Sequence, residues 1–251
     1  MEDANHQDDN GIAEEDESID TGDDINDEDE GADLDLDETT IQILRQNKGI
    51  NYLSVQLNCD YDSGKCPFFN SVDWKKDGDC VSKHTHLKTI VISHIGKCLD
   101  RDWGEHYILG EQGPNLPTKE QLQDFFACIY QNRSINHISF CSIGIVDEFG
   151  GELLGGLRGH PSLTQLGLNG KIGSMACSAL VSVLKDPTCK LKGLRLSNCQ
   201  LDDQRLSTLC DSLLGNIRME RLSVFRDTQI TSAGWRALSK FYNTLIANWL
   251  T

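Results

Sequence analysis

The sequence predicts an α/β array in which short parallel strands alternate with helices and each unit stacks on the next. Two observations carry that prediction. Apolar residues at positions 1, 4 and 6 of a repeated pattern begin at Ile135, Leu163, Leu191 and Met219, and the three intervals between those starts are identical. Apolar or small residues then return at helical spacing late in each period: Phe125, Phe126 and Ile129; Leu153, Leu154 and Leu157; Leu209, Cys210 and Leu213; Ala237, Leu238 and Phe241. A stable period of about 20–29 residues headed by L-x-x-L-x-L marks a solenoid whose units bury a shared core.

Taken in order, Ile41 and Leu44 fit the tail of a helix before the first strand. Strands follow at Ile50-x-x-Leu53-x-Val55 and Leu87-x-x-Ile90-x-Ile92, then at the four regular starts. The intervals from Ile50 to Leu87 and from Leu87 to Ile135 are longer than the rest, which places insertions near 58–86 and 96–116. Leu180, Val181 and Leu184 stand one residue out of the helical frame, as a small loop deletion requires. Position 26 is a turn-type residue in most units: Asn47, Asn132, His160, Thr188 and Asn216. A seventh strand is expected at Ala247, with Leu250 as its position 4, leaving an edge for weak self-association at the C-terminal end. An ordinary doubly wound domain also alternates strands and helices. Its buried strands, however, read as continuous apolar runs at irregular spacing. Here only positions 1, 4 and 6 are apolar.

These residues resemble the ribonuclease-inhibitor type of leucine-rich repeat. So do Leu191-Lys-Gly-Leu-Arg-Leu-Ser-Asn-Cys199-Gln-Leu201 and the unit junction Leu157-Arg-Gly-His-Pro-Ser-Leu163. The resemblance covers roughly residues 37–251 and is clearest over 117–246. It implies a horseshoe of about six units, with parallel strands on the concave face and helices on the convex face. It also implies a non-enzymatic scaffold that binds a protein partner. The Ran GTPase-activating proteins share the repeat type and an acidic tail, so a GTPase-activator-like regulatory role is the alternative. Their tail stands at the opposite terminus and their array is longer. This chain departs from the family at position 9, where Cys199 is accompanied by Ile95, Ile143, Lys171 and Asp227. Backbone hydrogen bonding in those turns must be met another way.

Charge divides the chain. Residues 1–40 hold 19 Asp or Glu and no Lys or Arg, which leaves 20 of the 39 acidic residues to face all 23 basic ones. Residues 1–37 are read as a disordered acidic arm, because such a segment cannot bury enough apolar surface to offset its ordering entropy. Residues 38–251 are read as the repeat domain. The arm either solubilises the chain or engages basic surfaces, its own groove included. A net charge of −16 argues against a nucleic-acid partner. The first residues are acidic rather than basic and no long apolar run follows, so neither export nor a membrane is expected. Ten scattered cysteines, several at core positions, fit reduced thiols in a cytoplasmic or nuclear compartment. The glycosylation sequon at Asn132 falls at a unit junction and is expected to be unused.

The common phosphate-loop, metalloprotease and nucleophile-elbow motifs are absent, and no cofactor is expected. One cluster has metal-ligand types, namely Cys59, Cys66, Cys80, His84 and His86, but its spacing lacks the paired pattern of zinc sites. No metal is assigned there. Function is expected instead on strand positions 3, 5 and 7, which point away from the core by strand alternation. From these the partner-binding candidates are Tyr52, His137, Gln165, Arg195, Arg221 and Phe225. Arg195, Arg221 and Phe225 lie on adjacent strands and should cluster; Arg and aromatic residues are enriched at interface hot spots.

Overall fold

Positions 4 and 6 of the apolar triplets fall on the strands of one parallel sheet, and position 1 lies in the turn that enters each strand. In a computed structural model, the described residues are 38–46, 49–59, 73–96, 107–108, 118–214, 216 and 218–249. The acidic arm 1–37, Asn47 and Cys66 lie outside them. The main strands are β1 (Tyr52–Cys59), β2 (Thr89–Gly96), β4 (His137–Cys141), β6 (Gln165–Asn169), β7 (Gly193–Ser197) and β8 (Arg221–Phe225). They pair in that order, so each strand lies beside the next one in the chain. Register never slips. Leu53, Ile90, Ile138, Leu166, Leu194 and Leu222 stand abreast across all six strands. A one-residue slip would turn every apolar side chain to the other face, and burial of one face forbids it.

Helices alternate with these strands: α1 (Glu38–Arg45), α2 (Trp74–Lys83), α3 (Lys119–Gln131), α4 (Asp147–Gly156), α5 (Ser174–Lys185), α6 (Asp203–Leu213) and α7 (Ser232–Trp249). Each packs against the next, which forms a second layer over the sheet. Capping fixes several helix starts. Thr118 and Gln121 form a reciprocal capping box on α3, Asp73 accepts from Lys76 N–H on α2, and Asp202 accepts from Arg205 N–H on α6. The start of α7 is held from the neighbouring helix, where Asp203 accepts from the backbone of Thr231 and Gly234.

The core lies between sheet and helices. Positions 1 and 4 are buried almost without exception, and position 6 is buried through Leu196. Each such side chain contributes roughly 1.5–3 kcal/mol. Filling differs along the stack: Trp74 meets Phe125 edge-on at 5.5 Å and Phe126 lies 5.8 Å from Phe140, whereas later units use leucine and cysteine. Gly156 is required by this packing, since an added Cβ would lie 2.2 Å from the Tyr130 ring. The Tyr130 hydroxyl donates to Leu153 O at 2.7 Å.

Position 26 builds the turns that enter β4 and β6. Asn132 Oδ1 accepts from Ser134 and Ile135 N–H at 2.7 and 3.0 Å, while its Nδ2 donates to Val81 O and His84 O of the preceding unit. His160 Nδ1 accepts from Ser162 and Leu163 N–H at 3.3 and 3.1 Å, and Nε2 reaches Ile129 O at 3.3 Å. With Nδ1 accepting, Nε2 must carry the proton and donate. One side chain therefore ties its own turn to the unit before it.

The turn leaving each strand has its own rule. Position 8 is left-handed in four successive units: Ser142 (φ 55°), Gly170 (φ 135°), Asn198 (φ 52°) and Arg226 (φ 61°). This reversal aims backbone donors at the next unit, so that Gly170 N bonds Ser197 O and Asn198 N bonds Phe225 O. The departures at position 9 are accommodated here. Asp227 Oδ1 accepts from Leu201 N–H at 2.9 Å, and the Cys199 thiol donates to Leu168 O at 3.4 Å. At Ile143, backbone pairing does the work: β5 (Ile143–Gly144) pairs in parallel with β3 (Tyr107–Ile108), and Ile145 N bonds Lys171 O.

Two expected boundaries are corrected. The stretch 58–86 is not wholly an insertion, because α2 occupies its second half and packs in the helix row between α1 and α3. Extra residues there fall between Cys59 and Asp73. Nor does a strand begin at Ala247, because α7 runs on to Trp249. Nothing breaks α7 as Asp186-Pro187 ends α5, and Thr244 at position 26 donates back to Lys240 O inside the helix. The Tyr242 hydroxyl of α7 donates to Leu222 O, so a carbonyl of edge strand β8 is already engaged.

Candidate functional site: the open face of the sheet

The side of the sheet away from the helices carries the sequence-predicted candidates. Tyr52, Thr89, His137, Gln165, Gly193 and Arg221 form one row at position 3, each abreast of the next. Ser54, Val91, Ser139, Gly167, Arg195 and Ser223 form a second row at position 5. Tyr52 and His137 are half-buried, and burial lowers the pKa of His137. Gln165, Arg195 and Arg221 are exposed. Three positions expected to line the face are instead buried: Ser54, Gly167 and Ser197. Neighbours cover them; Gly167 lies so close to Ser139 that a Cβ would meet its hydroxyl at 2.7 Å.

Of the expected cluster of Arg195, Arg221 and Phe225, the contact between Arg195 and Phe225 is present. The Arg195 guanidinium lies 4.8 Å from the centre of the Phe225 ring, a cation–π contact that holds the charge over a half-buried aromatic. Gly193 stands beside Arg221, and Arg195 is flanked by Gly167 and Ser223. Small neighbours leave both arginines room. At the margin Lys192 pairs with Glu220 at 2.8 Å. Among the described residues, Arg195, Arg221 and the exposed Arg226 take part in no ion pair.

The suspected metal cluster is not assembled by what is described of it. His84 is 2% exposed and its Nδ1 accepts from His86 and Leu87 N–H at 3.3 and 3.1 Å, the same turn role as Asn132 and His160. Among the described residues no group of three or more His, Cys, Asp or Glu could hold a metal ion. Cys66 and the Cys59 side chain lie outside those described. Burial raises the thiol pKa of Cys128, Cys177, Cys189 and Cys199, and that of Cys210 to about 11, so these are unreactive core groups.

No protein-family profile matches the chain. A ribonuclease inhibitor of Sus scrofa is 33% identical over 98 residues, which is 38% of this chain and 21% of the relative. The match therefore spans about a fifth of that protein. The regular strand–turn–helix period and this similarity support a leucine-rich-repeat fold that resembles the ribonuclease-inhibitor type. Among solved structures, the tropomodulin C-terminal domain of Caenorhabditis elegans is 15% identical with a TM-score of 0.47, covering 70% of this chain and 95% of that one. Leiomodin-1 actin-binding site 2 is 10% identical with a TM-score of 0.40, covering 84% and 90%. Both likenesses are loose, and neither bears on what this chain binds. No described helix is long and apolar enough to cross a membrane.

Proposed function

We propose that the chain is a non-enzymatic leucine-rich-repeat scaffold: a solenoid of about six units whose open, concave sheet face grips a protein partner. The observation that carries this reading is the open face itself, two side-chain rows running from β1 to β8 with polar, aromatic and cationic groups directed outward. Its residues are small and polar over most of its length, which suits another protein's surface better than a large apolar ligand. Tyr52, His137, Gln165, Arg195, Arg221 and Phe225 are the contact residues we assign. The acidic arm tunes solubility and the charge of the surroundings, and the chain works in the cytoplasm or nucleus. Weak self-association runs through α7, where Trp235 and Ile246 are 41% and 56% exposed, rather than through an added strand.

The test places photo-crosslinking residues at Gln165 and Ser223 on the open face, and at the exposed Ser178 and Gln204 on α5 and α6. Reproducible protein adducts from the first pair and not the second are expected. Adducts from the helix positions alone would overturn the assignment. Sedimentation across a concentration series tests self-association, which a strict monomer would refute.

A further inference from the structure

We infer that the C-terminal end of the open face docks an extended acidic segment of a partner protein, with Arg195 and Arg221 as its carboxylate-binding groups. This rests on the open-face reading above and names the chemistry of the partner. At positions 3 and 5, charge separates this end from the rest of the face. Reading from β1, position 3 holds Tyr52, Thr89, His137 and Gln165 before any formal charge appears, and position 5 holds only Ser, Val and Gly before Arg195. The last two strands then bring two arginines together, with Arg226 exposed just past the end of β8.

Among the described residues the arginines have no carboxylate partner. The margin carboxylate, Glu220, is engaged by Lys192, and Asp227 is 6% exposed with its Oδ1 committed to Leu201 N–H. Salt bridges elsewhere consume their partners: Arg158 holds Asp186 and Arg45 holds Asp77. An exposed guanidinium with no carboxylate presents its donor fork to an incoming one, and bidentate pairing is the strong form of that contact.

Geometry selects an extended segment. Arg221 is two residues out of step with Ser223, the residue abreast of Arg195, and sits on the next strand. Neighbouring strands lie ~4.8 Å apart and two residues along a strand span ~6.7 Å, so the two arginine positions are separated diagonally by roughly 8 Å. Carboxylates at alternate residues of an extended chain repeat at a comparable ~6.7 Å. Gly193 and Ser223 leave the backbone of such a chain space to approach. Phe225 lies beneath Arg195, so the guanidinium is held in place before a partner arrives.

The experiment measures binding of a synthetic oligoglutamate, long enough to cross several strands, to the full-length chain. It is repeated in a full-length variant whose acidic residues within 1–40 are neutralised, so that they cannot compete. Oligoglutamine and an oligothymidylate of similar length are the comparison probes. Oligoglutamate should bind, weaken with added salt, and lose roughly tenfold or more in affinity in Arg195→Glu/Arg221→Glu. Arg133→Glu/Arg236→Glu, the same charge change on exposed residues outside the strands, should change it less than about twofold. If the double reversal fails to fold, Arg195→Gln/Arg221→Gln supplies the same comparison. Three results overturn the inference: no oligoglutamate binding in either background, equal loss in the control pair, or tighter binding of the oligonucleotide. Should Gln165 and Ser223 still capture proteins that the double reversal does not release, the partner class is wrong and the open-face reading stands. If the open face captures none, that reading itself fails.

Discussion

The two faces of one sheet obey different constraints. Towards the helices, positions 1, 4 and 6 carry leucine, isoleucine, valine, phenylalanine or methionine from Ile50 to Val224, and almost all are buried. On the open side, positions 3 and 5 change character along the stack, from Tyr52 and Ser54 at one end to Arg221 and Arg195 near the other. A close-packed interior tolerates little variation in volume, whereas an exposed strand position is almost free of that demand. The uniform face makes the array; the variable face is the one we assign to recognition.

Adjacent residues on opposite faces give the strongest contrast. Leu166→Ala should cost about 2–5 kcal/mol in denaturant unfolding, while Gln165→Ala should stay within about 0.5 kcal/mol. Equal effects would break the distinction. Next comes Gly170→Ala, which places a Cβ 2.3 Å from Ile143 O at a left-handed φ and should cost about 3 kcal/mol. Asp227→Ala strips a buried acceptor from the Leu201 N–H and should cost about 1–3 kcal/mol.

His160 gives a pH-dependent test. Burial lowers its pKa, against the raising effect of its bond to Ile129 O. The unfolded chain therefore binds a proton that the folded chain resists. Its stabilising effect is complete above the ordinary histidine range near pH 6.5 and is lost as pH falls towards the depressed folded value. Thermal melts across that range should show reduced pH dependence in His160→Asn, which supplies the same acceptor and donor without titrating, as Asn132 does. The smallest effect is at Arg226, where glycine accepts the left-handed turn more readily and should stabilise by up to about 1 kcal/mol.

Much of the helix-facing side was legible in the sequence, because burial writes itself as apolar residues at fixed spacing. The cluster of Arg195 with Phe225 was legible for a related reason, since a constant period places equal positions abreast. Other features hid. His84 does the work of Asn132, but beside the longer interval between Ile50 and Leu87 it was grouped with cysteines of metal-ligand type, to which no metal was assigned, rather than with the turn residues. The left-handed position 8 is signalled by Gly170 and Asn198, yet Ser142 and Arg226 adopt it without that signal. Ser54, Gly167 and Ser197 alternate correctly but are covered by neighbours, which spacing alone does not report. The extent of α7 depends on the lack of a breaker, so counting one further period from Met219 misplaced its end.

The most direct measurement pairs Leu194 with Arg195, chain neighbours on opposite faces, and follows unfolding and oligoglutamate binding in the same samples. Leu194→Ala should lose stability yet bind normally while folded, and Arg195→Glu should keep its stability and lose affinity. If Arg195→Glu instead unfolds the protein, or Leu194→Ala abolishes binding in the folded state, the division of labour between the two faces is contradicted.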